Sequence, residues 1–204
     1  FEEQMSYLSK KKFNVISLKQ LLESIKSGLP IKRKTVIITF DDGYKDNYLN
    51  ACPVLQKYAL PATVFISTAN IGKAVVARNG TKLDVLKEEE IVEMQKSGLI
   101  DFGSHADRHI KLAHLQEKDI IEEMTRSKER LKDILRAEPF SIAYPSGNVN
   151  ELVKNTASRY FDLGCGIKKG RVLHDSDLMD MKRNSVDSEV NFIQFKGIVK
   201  FGRV

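Results

Sequence analysis

The stretch TVIITFDDGYKDNY, residues 35 to 48, runs a β-branched, apolar segment directly into two adjacent aspartates, Asp41 and Asp42, and then into Gly43. An apolar run of this length bounded by a turn signal reads as a strand buried on both faces. Successive side chains on a strand point to opposite faces, so neighbouring carboxylates come together only where the strand ends and the backbone turns. Gly43 permits that turn. Two like charges closing a buried strand require a chemical reason.

Outward from this stretch the hydrophobic period keeps switching between helix and strand. FEEQMSYLSKK sets Phe1, Met5 and Leu8 at helical spacing, and FNVIS (13 to 17) reads as a strand. SLKQLLESIKSG puts Leu18, Leu21, Leu22 and Ile25 on one helical face with Gly28 as a stop. After the strand at 35 to 41 the pattern predicts a helix over 46–58, a strand over 62–68, a helix over 87–97 and a strand over 100–105. A long helix over 117–136, a strand over 140–145, a helix over 150–160, a strand over 162–167 and a short strand near 181–186 follow. Strict βα alternation with short connections implies a parallel sheet.

Seven candidate strands suit either an open doubly wound sheet or a closed, irregular barrel. The polar residues separate the two: Asp41 and Asp42 end the second strand, His105 the fourth, Tyr144 and Pro145 the fifth, and Arg183 lies in the seventh. A βα barrel gathers reactive groups from several strands at its C-terminal face, whereas an open sheet concentrates its ligand at one switch point. Dispersed contributions favour the barrel. The phosphate-binding patterns GxGxxG and GxxxxGK are absent around the aspartates.

Bulk composition is consistent with one domain over residues 1–204, single domains commonly holding about 100–200 residues. The net charge of +6 is spread out; its dense patches, KKK at 10 to 12 and KRK at 32 to 34, lie beside expected turns and read as solvated loop charge. No nucleic-acid partner is expected. Cys52 and Cys165 form neither a disulfide framework nor a CxxC pair and read as core residues. No apolar run approaches the ~20 residues of a transmembrane helix, so no integral membrane segment is expected. No signal peptide is visible, although a chain that begins at Phe1 rather than Met makes that absence uninformative.

The second chemical element is GSHADRHIKL, with His105 and His109 four residues apart just after a strand. If the chain turns helical there, the two imidazoles stack on one face within reach of a single ion. An HxxxH pair alone is weak evidence. With a carboxylate from another strand end it suffices to hold a metal and leave coordination positions open. His114 and His174 read as surface residues of connecting segments.

With these motifs in place the sequence resembles the polysaccharide deacetylases that share the NodB homology domain, carbohydrate esterase family four. The likeness runs from FEEQMSYLSKKKFNVISLKQL through TFDDGY, ACPVLQKYALPATVFIST, GSHADRH, EEMTRSKERLKDIL and AYPSG to MKRNSV. TFDDG followed about sixty residues later by paired histidines is a specific signature. The resemblance implies an irregular (β/α)7 barrel and a hydrolase that removes acetyl groups from a polysaccharide. It implies Asp41 as general base and Asp42, His105 and His109 as ligands of a divalent metal, zinc first, with Co2+ or Ni2+ compatible. Asp42 would then be neutralised by the cation, leaving Asp41 to take a proton from the activated water. In AYPSG the backbone N–H of Ser146 is the expected oxyanion donor, and Tyr144 and Pro145 are expected to line the substrate site.

Three departures from the family pattern qualify this. The residue after the first histidine, usually Ser or Thr, is Ala106, which removes a hydroxyl that would brace the loop and implies weaker metal affinity. The third motif reads SIAYPSGN without its arginine, as in the branch related to biofilm poly-N-acetylglucosamine deacetylases, and Arg183 within MKRNSV is the candidate substitute to hold Asp41. No Leu-x-His motif follows residue 174, so the general acid is unassigned. The branch favours N-acetylglucosamine polymers and an extracellular or cell-envelope setting. O-acetyl ester hydrolysis and an inactive carbohydrate-binding homologue are the alternatives. A non-haem iron oxygenase shares the ligand triad but needs no adjacent second carboxylate. Oligomeric state has no signal in the sequence.

Overall fold

A computed structural model describes residues 1–77 and 80–202. Helix α1 (Glu2–Lys10) leads into strand β1 (Asn14–Val15), and α2 (Leu18–Lys26) into β2 (Thr35–Val36) and β3 (Ile38–Phe40). Beyond the aspartates a π-helical turn (Asn47–Ala51) runs straight into α3 (Cys52–Tyr58), which is followed by β4 (Ala62–Ile66). A hairpin of β5 (Ala74–Val76) and β6 (Lys82–Asp84) precedes α4 (Glu88–Lys96) and β7 (Ile100–Ser104). Then come α5 (Glu117–Leu135), β8 (Ser141–Ala143), α6 (Glu151–Ala157), β9 (Leu163–Cys165) and a last helix, α7 (Phe192–Phe201).

Five strands form one parallel sheet in the order β3-β4-β7-β8-β9, curled into a half-barrel. All five residues of β4 are buried, as the centre of such a sheet requires. At one edge β2 runs on into β3 and pairs in parallel with β1. At the other, Met181 bridges Cys165 in parallel, and Arg183 N–H continues the line by donating to the Lys168 carbonyl at 3.0 Å. All seven strand positions of the irregular (β/α)7 barrel are therefore occupied, but the outermost two are short. The first is cut off because Ser17 N-caps α2 two residues after Val15, its side chain accepting from Gln20 N–H while Gln20 reaches back.

The inner face carries Phe65, Ala143, Leu163, Cys165 and Met181, packed against Leu18, Leu21 and Leu22 of α2. The outer face buries Ala62, Val64, Ile66, Ile100 and Phe102 against α1, α3, α4 and α5 through Met5, Leu8, Leu55, Ile91, Met94 and Leu131. A third cluster, including Ile120, Met124, Ile142, Tyr144 and Val153, lies under α5 and α6. Cys52 and Cys165 are free and buried. Among the described residues no helix is long and apolar enough to cross a membrane.

Two elements lie outside the sequence reading. The β5–β6 hairpin lies between the strand predicted over 62–68 and the helix predicted over 87–97, where the sequence pattern places no element. Helix α7 begins at an Asn191–Gln194 capping box, a signal present in the sequence, and buries Phe195 and Ile198. The Tyr7 ring of α1 meets Phe192 edge-on at 5.6 Å.

Gly103 marks the tightest point of the inner face: a Cβ there would lie 2.5 Å from Phe65 Cε1 and 2.7 Å from Ser141 Oγ. Because those neighbours are themselves buried, Gly103→Ala should destabilise the fold by about 1–3 kcal/mol, the usual cost of overpacking. Urea unfolding reads this directly, and an unchanged midpoint would show that the inner face can yield.

Candidate active site

Strand β3 ends at Phe40, and two left-handed residues follow the first aspartate, Asp42 at φ 68° and Gly43 at φ 68°. An L-residue tolerates that region poorly, and Asp is among the few that visit it. Gly43 is demanded twice over, since a Cβ on it would also come within 2.7 Å of Ile66 Cγ1. This reversal of backbone sense sends the two carboxylates to different partners.

Asp42 turns toward the histidines. Its Oδ1 lies 3.1 Å from His109 Nε2 and 3.5 Å from His105 Nε2, and one ligand atom from each of the three residues falls within 4.8 Å of the others. His105 follows β7, buried, with its N–H donating to the Ile66 carbonyl and its Nδ1 2.7 Å from the Ala143 carbonyl. A carbonyl can only accept, so Nδ1 carries a proton and Nε2 is the nitrogen that faces Asp42, the outer-shell arrangement that orients a metal-ligating histidine. The donor set, one carboxylate and two imidazoles with the tautomer of one fixed, fits a divalent cation.

The segment between the histidines is a loop and not the helical turn that HxxxH spacing suggested. Ala106 at φ 57° and His109 at φ 56° bend it back, bringing the ring centroids to 5.0 Å. Burial by itself would raise the Asp42 carboxyl, but hydrogen bonds and charge from His105 and His109 outweigh it and hold the group well below the usual carboxylate range. The Asp42 hydrogen bond raises His109 in turn, against a smaller opposing effect of burial.

Asp41 turns the other way. Arg183 Nη1 donates to its Oδ1 at 2.7 Å and Nη2 to its Oδ2 at 2.8 Å, a two-pronged fork. Arg183 Nε donates to the Gly166 carbonyl at 2.9 Å, and the guanidinium carbon stands 5.8 Å from the centre of the Phe65 ring. Burial pulls the Arg183 pKa down, while hydrogen bonding to and charge on Asp41 push it up, and the net direction is up.

After β8, residues Pro145–Gly147 form a tight turn with Ser146 left-handed at φ 56° and exposed. The Ala143 contact to His105 sets this turn beside the histidines. The expectation that Tyr144 and Pro145 line a substrate site does not hold. Tyr144 is fully buried in the cluster under α5 and α6, its O–H donating to the Met179 carbonyl at 2.7 Å, and Pro145 is buried with it. Tyr144 lies over Gly164, where a Cβ would meet its hydroxyl at 2.2 Å, so the strand end serves packing. His114 and His174 are exposed, and among the described residues neither forms a metal-holding group with the three ligands. A residue that the sequence reading passed over is Tyr44, half-buried, whose phenol is pushed up to about 12 by burial and then by the charge and hydrogen bond of Asp42.

The family model for polysaccharide deacetylase matches residues 29–161, a segment holding both aspartates and both histidines. The chain belongs to that family. It is 33% identical over 172 residues to a poly-beta-1,6-N-acetyl-D-glucosamine N-deacetylase of Staphylococcus aureus, an alignment covering 78% of this chain and 58% of that protein. The chain thus spans little more than half the length of that relative. Among solved structures, a polysaccharide deacetylase from Bacillus cereus superposes with a TM-score of 0.81 at 28% identity, covering 98% of this chain and 60% of the other. The Streptococcus pyogenes deacetylase PplD in complex with acetate superposes at 0.85 with 24% identity, covering 100% and 85%, a likeness of fold.

The ionic cluster makes a pH-dependent contribution to stability in metal-free protein. His109 is raised above its ordinary 6.5, so its share is present below that value and lost as pH rises through the raised one; Asp42 is lowered from 3.8, so its share is present above that value and lost as pH falls through the depressed one. After chelation, the stability gap between wild type and Asp42→Asn should therefore be widest between about pH 3.8 and 6.5 and narrow on either side. Urea unfolding of both proteins across pH checks this, and a gap that does not vary would show that the cluster carries no net charge coupling.

Proposed function

We propose that the chain is a metal-dependent hydrolase that removes N-acetyl groups from an N-acetylglucosamine-containing polysaccharide, acting on a linear amide. The observation that carries the reading is the division of labour within one doublet: Asp42 completes an Asp–His–His set while Asp41 is forked by Arg183 beside it. Family membership and the similarity to a poly-N-acetylglucosamine deacetylase support the substrate class. An envelope or extracellular site of action accords with a polymeric substrate.

Asp42, His105 and His109 would hold the cation, and two nitrogens with one oxygen suit zinc, with cobalt or nickel compatible. A divalent cation there would supply Lewis acidity, able to lower the pKa of a water toward neutrality. Asp41 is the general base, accepting the proton of the attacking water. The fork of Arg183 fixes the direction of its lone pairs, which makes Arg183 a positioning residue. Ser146 N–H, on the exposed turn after β8, is the oxyanion donor from the chain.

Asp41→Asn should retain the metal and lose about 10²–10⁴-fold in rate, the usual worth of a general base, whereas Asp42→Asn should lose metal and rate together. Metal analysis paired with turnover on β-1,6-linked N-acetylglucosamine oligomers, scored as free amine, decides it; equal metal content and equal activity in the two variants would refute the roles. Acetate release from O-acetylated xylan without free amine from the glucosamine oligomers would replace the amide reading with an esterase.

Arg183→Lys keeps the charge and loses the fork. It should cost about 10²-fold in kcat, as misplacing a catalytic group by around 1 Å does, with metal content unchanged. A wild-type kcat in that variant would show that direction at Asp41 is not limiting.

A further inference from the structure

Helix α5 carries a buried carboxylate at its middle. Glu123 is fully buried, on the same face of the helix as the buried Ile120, Met124 and Ser127. An isolated carboxylate in such surroundings is strongly disfavoured, so its donors show what it is there for. Oε2 accepts Asp107 N–H at 3.1 Å and Arg108 N–H at 2.9 Å, and Oε1 accepts Arg108 Nε at 2.5 Å. All three donors belong to Asp107 and Arg108, which lie between His105 and His109.

We propose that Glu123 is a positioning residue that holds the loop between the two histidines in its metal-ready shape before any metal arrives. The proposal rests on the metal-site reading above. The loop contains two left-handed residues other than glycine, Ala106 and His109, a conformation that persists only when surrounding bonds over-determine it. Successive N–H groups pointing into one concavity form an anion nest, and Glu123 fills it. The remaining polar groups are fixed from the same side: Ala106 N–H donates to Ser104 Oγ at 3.1 Å, and Ser104 Oγ is 2.6 Å from Ser127 Oγ on α5. Thr68 Oγ1 also donates to Asp107 Oδ1 at 2.7 Å, and Ala69 N–H to the Asp107 carbonyl at 3.0 Å. Ala106 offers no hydroxyl for this purpose; α5 and the turn at Thr68–Asn70 supply the bracing instead. The weaker metal affinity expected from Ala106 is thereby offset.

The test uses the whole chain and zinc alone, with affinity measured by chelator competition and ligand geometry read from the visible absorption of the cobalt(II)-loaded protein. Glu123→Leu should bind zinc about 10–100-fold more weakly, the usual effect of losing an outer-shell partner, and should alter the cobalt bands. Glu123→Gln, whose amide oxygen can still accept the two backbone N–H groups, should recover most of the affinity. A Glu123→Leu protein with wild-type affinity and superposable cobalt bands overturns the proposal. Should that variant fail to fold, amide exchange in the metal-free wild type decides: slow exchange at Asp107 and Arg108 supports a preformed loop, and exchange that slows only when zinc is added overturns it. A wild type that takes up no zinc overturns this and the metal-site reading together, whereas zinc uptake with an indifferent Glu123 overturns this alone.

Discussion

The fork between Arg183 and Asp41 joins the two edges of a sheet that its own strands do not close. Asp41 follows β3, the first strand of the five, and Arg183 donates with the same guanidinium to Gly166, just beyond β9, the last. The contact spans 142 residues of sequence. Arg183 is half-buried and its planar group lies over Phe65 on the inner face, so the head must find acceptors. The Gly166 carbonyl and both oxygens of Asp41 supply them. One guanidinium thus ties the rim of the half-barrel and aims a carboxylate.

That arrangement resolves the tension in placing two aspartates side by side. Neighbouring carboxylates repel, and one would ordinarily be driven to hold a proton. Here each has its own positive or proton-donating company: Arg183 for Asp41, the two imidazoles for Asp42. The left-handed pair at Asp42 and Gly43 makes the separation possible, since an extended backbone would have pointed one of the two away from the rim altogether. Close approach enforces the same geometry from behind, where Ile66 leaves no space for a side chain at position 43.

The packing beneath the rim explains why some strand-end residues face the site and others do not. Side chains alternate along β8, so Ala143 lies inward with Leu163 and Cys165 while Ile142 and Tyr144 lie outward under α5 and α6. An aromatic at a strand end is therefore no guide to a binding role until its face is known. The carbonyl of Ala143 nonetheless serves the site, by fixing the proton on His105.

Local pattern made much of this legible. The alternation of periods gave the order of strands and helices, the breaks at strand ends gave Asp41, Asp42 and His105, and the four-residue spacing added His109. These are properties of neighbouring residues, set by side-chain period and turn chemistry, and the sequence by itself determined them. It could also have disclosed α7, whose Asn191–Gln194 cap is written in the chain. The tertiary structure alone decided which carboxylate faces the histidines and which faces arginine, that Tyr144 is core, and that Glu123 on a distant helix grips the histidine loop. Each of those depends on where the curl of the sheet and the packing of helices bring residues that are far apart in sequence, and a buried charge discloses its purpose only through the donors that the fold carries to it.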